Sequence, residues 1–163
     1  MLPIPDLVIG ALLALLGVLV SQLVAMLQAR LERQHKREIL LRTKYEEFGR
    51  HFLASTEMPG RLLSCKDHEE MQGVLHQTAA NQAQLLALIY FPPLRKPIER
   101  YVSSYQNLCL VVASLYFQNP NAETVGGSVF NHPDYQMASI AHRAEKEELA
   151  NQIETHATTY AKS

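Results

Sequence analysis

The amino-acid sequence predicts an all-α protein: one N-terminal transmembrane helix that continues as a stalk into a small cytosolic four-helix bundle. Three observations predict it. Leu7–Leu27 is a continuous apolar run whose only polar side chains are Ser21 and Gln22. Beyond it, apolar residues recur at three- and four-residue intervals instead of alternating. The polar stretches between them are rich in Ala, Gln, Glu and Leu, which favour helix.

The apolar run comes first. At helical rise it reaches roughly 30 Å, the thickness of the hydrocarbon core of a bilayer. Met1–Asp6 contains no Lys or Arg, so the basic start of a secretory signal is missing. Behind the run lie Arg30, Arg33, Lys36, Arg37, Arg42 and Lys44, against Glu32 and Glu38. The positive-inside rule puts that flank in the cytoplasm. The expectation is an uncleaved single-pass anchor in a bacterial inner membrane, N-terminus out, over residues 1–29. A basic helical stalk over 30–39 and a cytosolic helical domain over 40–163 follow. Arg30, Arg33, Lys36 and Arg37 are expected to touch lipid headgroups. Gly10 and Gly17, seven apart on one face, either line a contact between copies with Gln22 or leave Gln22 to reach the interface.

The domain has the length for one compact core. The chain carries 15 basic and 16 acidic residues, a formal net charge of −1, which argues against a duplex nucleic-acid partner. Cys65 and Cys109 sit in no ligand or redox spacing and read as free thiols. Leu41, Tyr45, Phe48 and Phe52 form one helical face, and Met58-Pro59-Gly60 is expected to end that helix. A second helix is expected from Ser64–Asp67 to Tyr90, with Met71, Val74, Leu75, Thr78, Gln82, Leu85 and Ile89 along one face. Pro92-Pro93 stops it. Pro97 opens the third, the most apolar, through Ile98, Tyr101, Tyr105, Leu108, Val112 and Leu115. Residues 119–131 read as a long loop. The fourth helix starts at Asn131–Pro133 and is thin in apolar residues, so it belongs on the outside of the bundle or against another subunit.

No catalytic motif stands out, and no cofactor or metal site is expected. His132 with Asp134, and His142 with Glu145, come nearest to ligand spacing, but solvated helix faces explain them better. Two places suit an anion. Arg95, Lys96 and Arg100 surround the start of the third helix; the preferred reading is a basic turn on anionic lipid, with Phe91 and Leu94 at the interface. At the opposite end of an up-down bundle, Gly126, Gly127 and Ser128 lead to Asn131, His132 and Tyr135, with Arg61 and Lys66 at the same end. Glycines permit close backbone approach, hydroxyl and amide groups supply hydrogen bonds, and the two cations supply charge. No Gly-Lys-Ser/Thr follows, so this is not a Walker loop.

Read in this order, span Leu7–Leu27, basic stalk Arg30–Lys44 and a helical domain from there to Ser163, the layout resembles the membrane effectors that accompany type III CRISPR systems. That resemblance implies an oligomer whose cytosolic domain senses a cyclic oligoadenylate and acts on the inner membrane in antiviral defence. This chain departs from it in having no dense basic groove, so several copies would assemble the site from Arg61, Lys66 and Ser128. The competing reading is a membrane-tethered adaptor that docks a protein partner.

Overall fold

The computed structural model describes residues 4–118 and 124–161, and all regular structure among them is helical. Helix α1 spans Ile4–Ser64, α2 His68–Leu75, α3 Ala79–Tyr90, α4 Arg95–Gln118, α5 Val125–Val129 and α6 Pro133–Tyr160. One 3-10 turn lies at Pro92–Leu94. Contacts divide the chain into two units, Met1–Leu40 and Leu41–Ser163.

The first unit belongs to α1. From Gly10 to Leu40 every side chain is exposed except the half-buried Ala29. An 18-residue window of the apolar run has a mean hydropathy of 2.3, so this helix is long and apolar enough to cross a membrane. Its leucines and valines point outward on all sides, a pattern that suits lipid better than water.

The second unit is a helical bundle built around α4. Nine α4 residues are buried, among them Ile98, Tyr101, Leu108 and Val112. They serve two adjoining core clusters. Tyr101 and its neighbours pack with Tyr45, Phe48 and Phe52 of α1 and with Ala80, Ala83 and Ala87 of α3. Leu108, Val112 and Leu115 pack with Leu62, Met71, Val125, Val129 and Tyr135. Pro97 lies in the first turn of α4, where its missing N–H leaves no helical bond unmade.

Four local expectations are corrected. Pro59 does not end α1, which continues to Ser64. Proline removes only the bond to the Ser55 carbonyl, while buried Met58 and Leu62 hold the turns on either side against the core. The expected second helix is two, because His76–Thr78 is not helical. Asp67 caps α2 by accepting from the Glu70 N–H at 2.9 Å, and Glu70 accepts from the Lys66 N–H at 2.9 Å, a reciprocal cap displaced from Ser64. The break resets the helical phase, so α3 buries its alanines and leaves Leu85 and Ile89 exposed. Alanine lets α3 come close to the large side chains of α4. Third, the loop contains α5, capped by Thr124, whose hydroxyl accepts from the Gly127 N–H at 3.1 Å; residues 119–123 lie outside the described residues. Fourth, Phe91 and Leu94 are fully buried, not displayed at a lipid interface.

Helix α6 runs antiparallel to α4. Arg100 pairs with Glu145 at 3.0 Å, and Ser104 meets His142 one turn further on. At one end of this unit, Phe91 stacks edge-on with Tyr45 and Tyr160, with ring centroids 5.2 and 4.9 Å apart. The Tyr45 hydroxyl donates to the Ile153 carbonyl, and burial pushes its pKa up to about 12. At the other end, the Val125 N–H donates to the Cys65 carbonyl at 2.8 Å and ties α5 to the end of α1.

Leu108 and Val112 are buried in the second cluster. Leu108→Ala is expected to cost about 2–5 kcal/mol and Val112→Ala somewhat less. The exposed Glu147→Ala should stay within about 0.5 kcal/mol of the parent. Thermal unfolding of the full chain in detergent checks this; equal midpoints for all three would remove α4 from the core.

Candidate functional site

The eight residues expected to bind an anion fall in one region of the second unit, but most already have structural work. Gly126 packs on the end of α1: a Cβ there would lie 2.9 Å from the Leu63 carbonyl oxygen. Its missing side chain therefore makes room for protein backbone. Gly127 lends its N–H to the Thr124 cap. Tyr135 is buried in the second core cluster. His132, not Asn131, caps α6, its Nδ1 accepting from the Asp134 N–H at 3.3 Å. Asn131 is exposed. The Ser128 side chain lies outside what the structure describes.

Arg61 and Lys66 flank Cys65, to which α5 is bonded, so the two cations and Gly126 do share one end. Arg61 donates to Gln77 Oε1 at 3.2 Å across a hollow of about 430 Å³ that Ser64, Cys65 and Glu70 also line. Charge in the hollow is balanced, one guanidinium against one carboxylate. Cys65 is buried and its thiol is pushed up, first by desolvation and then by Glu70 and Asp67, so it stays protonated.

The basic residues expected at lipid are exposed. Arg30, Arg33, Lys36 and Arg37 lie on the first unit, where Arg33 Nε donates to the Ala29 carbonyl. Arg95 Nε donates to the Leu88 carbonyl at 3.0 Å, which folds that side chain back over α3; Lys96 is exposed beside it.

Two features were missed. The first is His142, read as solvated but only 6 % exposed. Its ring lies 5.3 Å from that of Tyr101 and 5.9 Å from that of Tyr105. Ser104 Oγ gives its one proton to the Tyr101 carbonyl, so at 3.3 Å His142 Nδ1 is the donor to Ser104. Burial, with Lys146 second, pushes the imidazole down to about 4. The same logic orders Ser55: it donates to the Phe52 carbonyl and receives the Tyr101 hydroxyl at 2.7 Å. The sequence signal was there. His142 follows Tyr135 and Ala138 at spacings of seven and four, on the core face of α6.

The second is a groove of about 640 Å³ between α4 and α6. Ser103, Ser104, Asn107, Ala141 and Ala144 line it, and the Arg100–Glu145 pair closes one end. Leu110 of α4 lines a different hollow, with Leu75, Gln77 and Ala80, and Met137 and Ile140 precede the groove-lining Ala141 on α6. Leu110, Met137 and Ile140 are 70 %, 64 % and 69 % exposed. Among the described residues, no three His, Cys, Asp or Glu side chains converge as a metal site would need.

His142 makes stability depend on pH. The unfolded imidazole takes a proton near its ordinary pKa of 6.5, the folded one only near 4. Between those values the proton favours the unfolded chain, so stability falls as pH drops below 6.5, by about 2 kcal/mol at pH 5. His142→Gln keeps a hydrogen-bonding group and does not titrate. Urea unfolding at pH 7.5 and 5 should show a smaller loss for the variant; an equal loss would place the proton elsewhere.

No protein-family model, curated protein or solved structure matches this chain.

Proposed function

We propose that this chain is a membrane-tethered adaptor: the apolar start of α1 holds it in a bacterial inner membrane, and the helical unit docks a protein partner from the cytoplasmic side. The orientation rests on the charge asymmetry around the span, with Arg30, Arg33, Lys36 and Arg37 behind it and no Lys or Arg in front. The observation that carries the docking is the exposed pair Met137 and Ile140, on the face of α6 that continues into the groove-lining Ala141 and Ala144. Large apolar side chains clustered on one face mark interaction surfaces more often than scattered ones do. The bound charge is small, so the recognised partner is apolar at its centre.

The test uses the full chain in bacterial membranes. A photo-crosslinking residue at Ile140 should give a discrete adduct in the membrane fraction, and the same probe at exposed Glu69 should not. No adduct at Ile140 above the Glu69 level would overturn the docking reading.

A second reading is a ligand-gated effector like those that accompany type III CRISPR systems, with a cyclic oligoadenylate at the Arg61 end. The hollow lined by Arg61, at the end of α1 to which α5 is bonded, favours it. A ligand that binds only the folded state raises the unfolding midpoint. On this reading, a cyclic oligoadenylate should raise the midpoint of the full chain in detergent, and Arg61→Ala should remove most of the shift. No shift with the parent chain would dismiss the effector reading.

A further inference from the structure

We infer that Arg30, Arg33 and Arg37 form a one-sided site on α1 for the phosphate of anionic phospholipid headgroups. It rests on the anchor reading above, in which the apolar start of α1 spans a bilayer, and it names the lipid chemistry that the end of the span selects.

The three arginines follow one another at spacings of three and four, so they share one face of α1, and all three are exposed. No position three or four residues from any of them holds Asp or Glu; those neighbours are apolar residues, Gln34, Lys36 and the arginines themselves. The acids of this stretch, Glu32 and Glu38, lie on the far side of the helix and flank His35. Like charges one turn apart repel, so this face is at odds with itself until an anion meets it. The positive-inside rule asks only for a number of basic residues behind the span. It gives no reason to gather them on one face away from the acids.

Arg33 shows where the charge goes. Helical side chains lean toward the N-terminus of their helix, which on this flank is toward the span. Arg33 Nε donates to the Ala29 carbonyl at 3.0 Å, one turn back, and its two terminal nitrogens have no partner among the described residues. At helical rise Arg30 and Arg33 stand about 5 and 9 Å beyond Leu27. The headgroup layer is about 5–8 Å deep on each side of the hydrocarbon, so a guanidinium that leans back one turn from Arg33 lies within it. Arg37 reaches its outer edge, and a tilt toward this face brings all three arginines lower; spans tilt by about 20° on average. A guanidinium can give two parallel N–H bonds to one phosphate, and arginines one turn apart can bracket one headgroup. A zwitterionic headgroup brings its own ammonium, which competes for the same phosphate. The face therefore selects lipids of net negative charge.

The experiment places the purified full chain in phosphatidylcholine vesicles at low salt, doped with spin-labelled phosphatidylglycerol or spin-labelled phosphatidylcholine. Electron spin resonance reads the fraction of each label immobilised at the protein surface. The parent chain should hold phosphatidylglycerol over phosphatidylcholine by about threefold or more. Arg33→Gln combined with His35→Arg keeps the number of charges but moves one to the far side, between Glu32 and Glu38. Both positions are exposed and both new residues favour helix, so α1 should keep its helix content. This variant should lose at least half of the preference. A preference unchanged in the variant would reduce the effect to charge count and overturn the site. Equal immobilisation of both lipids by the parent would overturn the site and leave the anchor standing. In that case a protein adduct from a photo-crosslinking residue at Gln34 in bacterial membranes would assign the face to an acidic protein instead. A chain that immobilises neither lipid is not in the bilayer, and the anchor reading falls together with the site.

Discussion

The bundle depends on covering α4. Its buried residues run from Pro97 to Tyr116, so almost every turn needs a neighbour. No single helix can meet that need. The first half is covered by the aromatic face of α1 and the alanine face of α3. The second half is covered by the last turns of α1 with α2, α5 and the start of α6. This explains why α1 runs through Pro59: ending there would uncover Leu108 and Val112, which need Leu62. A proline in a helix interior costs about 3 kcal/mol, comparable with fully exposing one or two large core side chains.

Polar groups within this core pair among themselves. Phe52 carbonyl, Ser55, Tyr101 hydroxyl form one chain across α1 and α4; Tyr101 carbonyl, Ser104, His142 form another across α4 and α6. Tyr101 takes part in both, with its hydroxyl at one end and its carbonyl at the other. A buried hydroxyl without a partner costs more than a made bond returns, so these pairs set the register of both neighbours on α4. A shift of α6 by one residue would turn His142 away from Ser104 and bring a different side chain against the two tyrosine rings.

Features that rest on strong local periodicity were legible in the sequence. The apolar run, the α4 stripe, the stop at Pro92-Pro93 and the start of α6 near Pro133 all stand where the residues point. Features decided by competition were not. The Pro59 signal lost to tertiary packing, and the 64–90 stretch concealed a phase change at His76–Thr78 that turned Leu85 and Ile89 outward. Hydrophobicity alone ranks leucine above alanine and histidine for burial. Alanine can sit closer to α4, and a neutral histidine can bond to Ser104. At the end of the domain that the sequence offered for an anion, glycine and histidine served as ligand signals, while in the fold Gly126 answers a close backbone approach and His132 a helix cap. Both roles use the same chemistry a ligand would, which is why residue type alone does not separate them.

The same competition accounts for what α6 exposes. Its core face is filled by Tyr135, Ala138, His142 and Leu149, and that set leaves Met137 and Ile140 exposed. Rotating α6 to bury them would pull the His142 ring away from Tyr101 and Tyr105 and strip Ser104 of its donor. Met137 and Ile140 therefore cannot be buried by turning α6 without breaking a satisfied polar contact. Water contact at these side chains is the cost of the internal hydrogen bonds, and only a surface from outside the unit can relieve it.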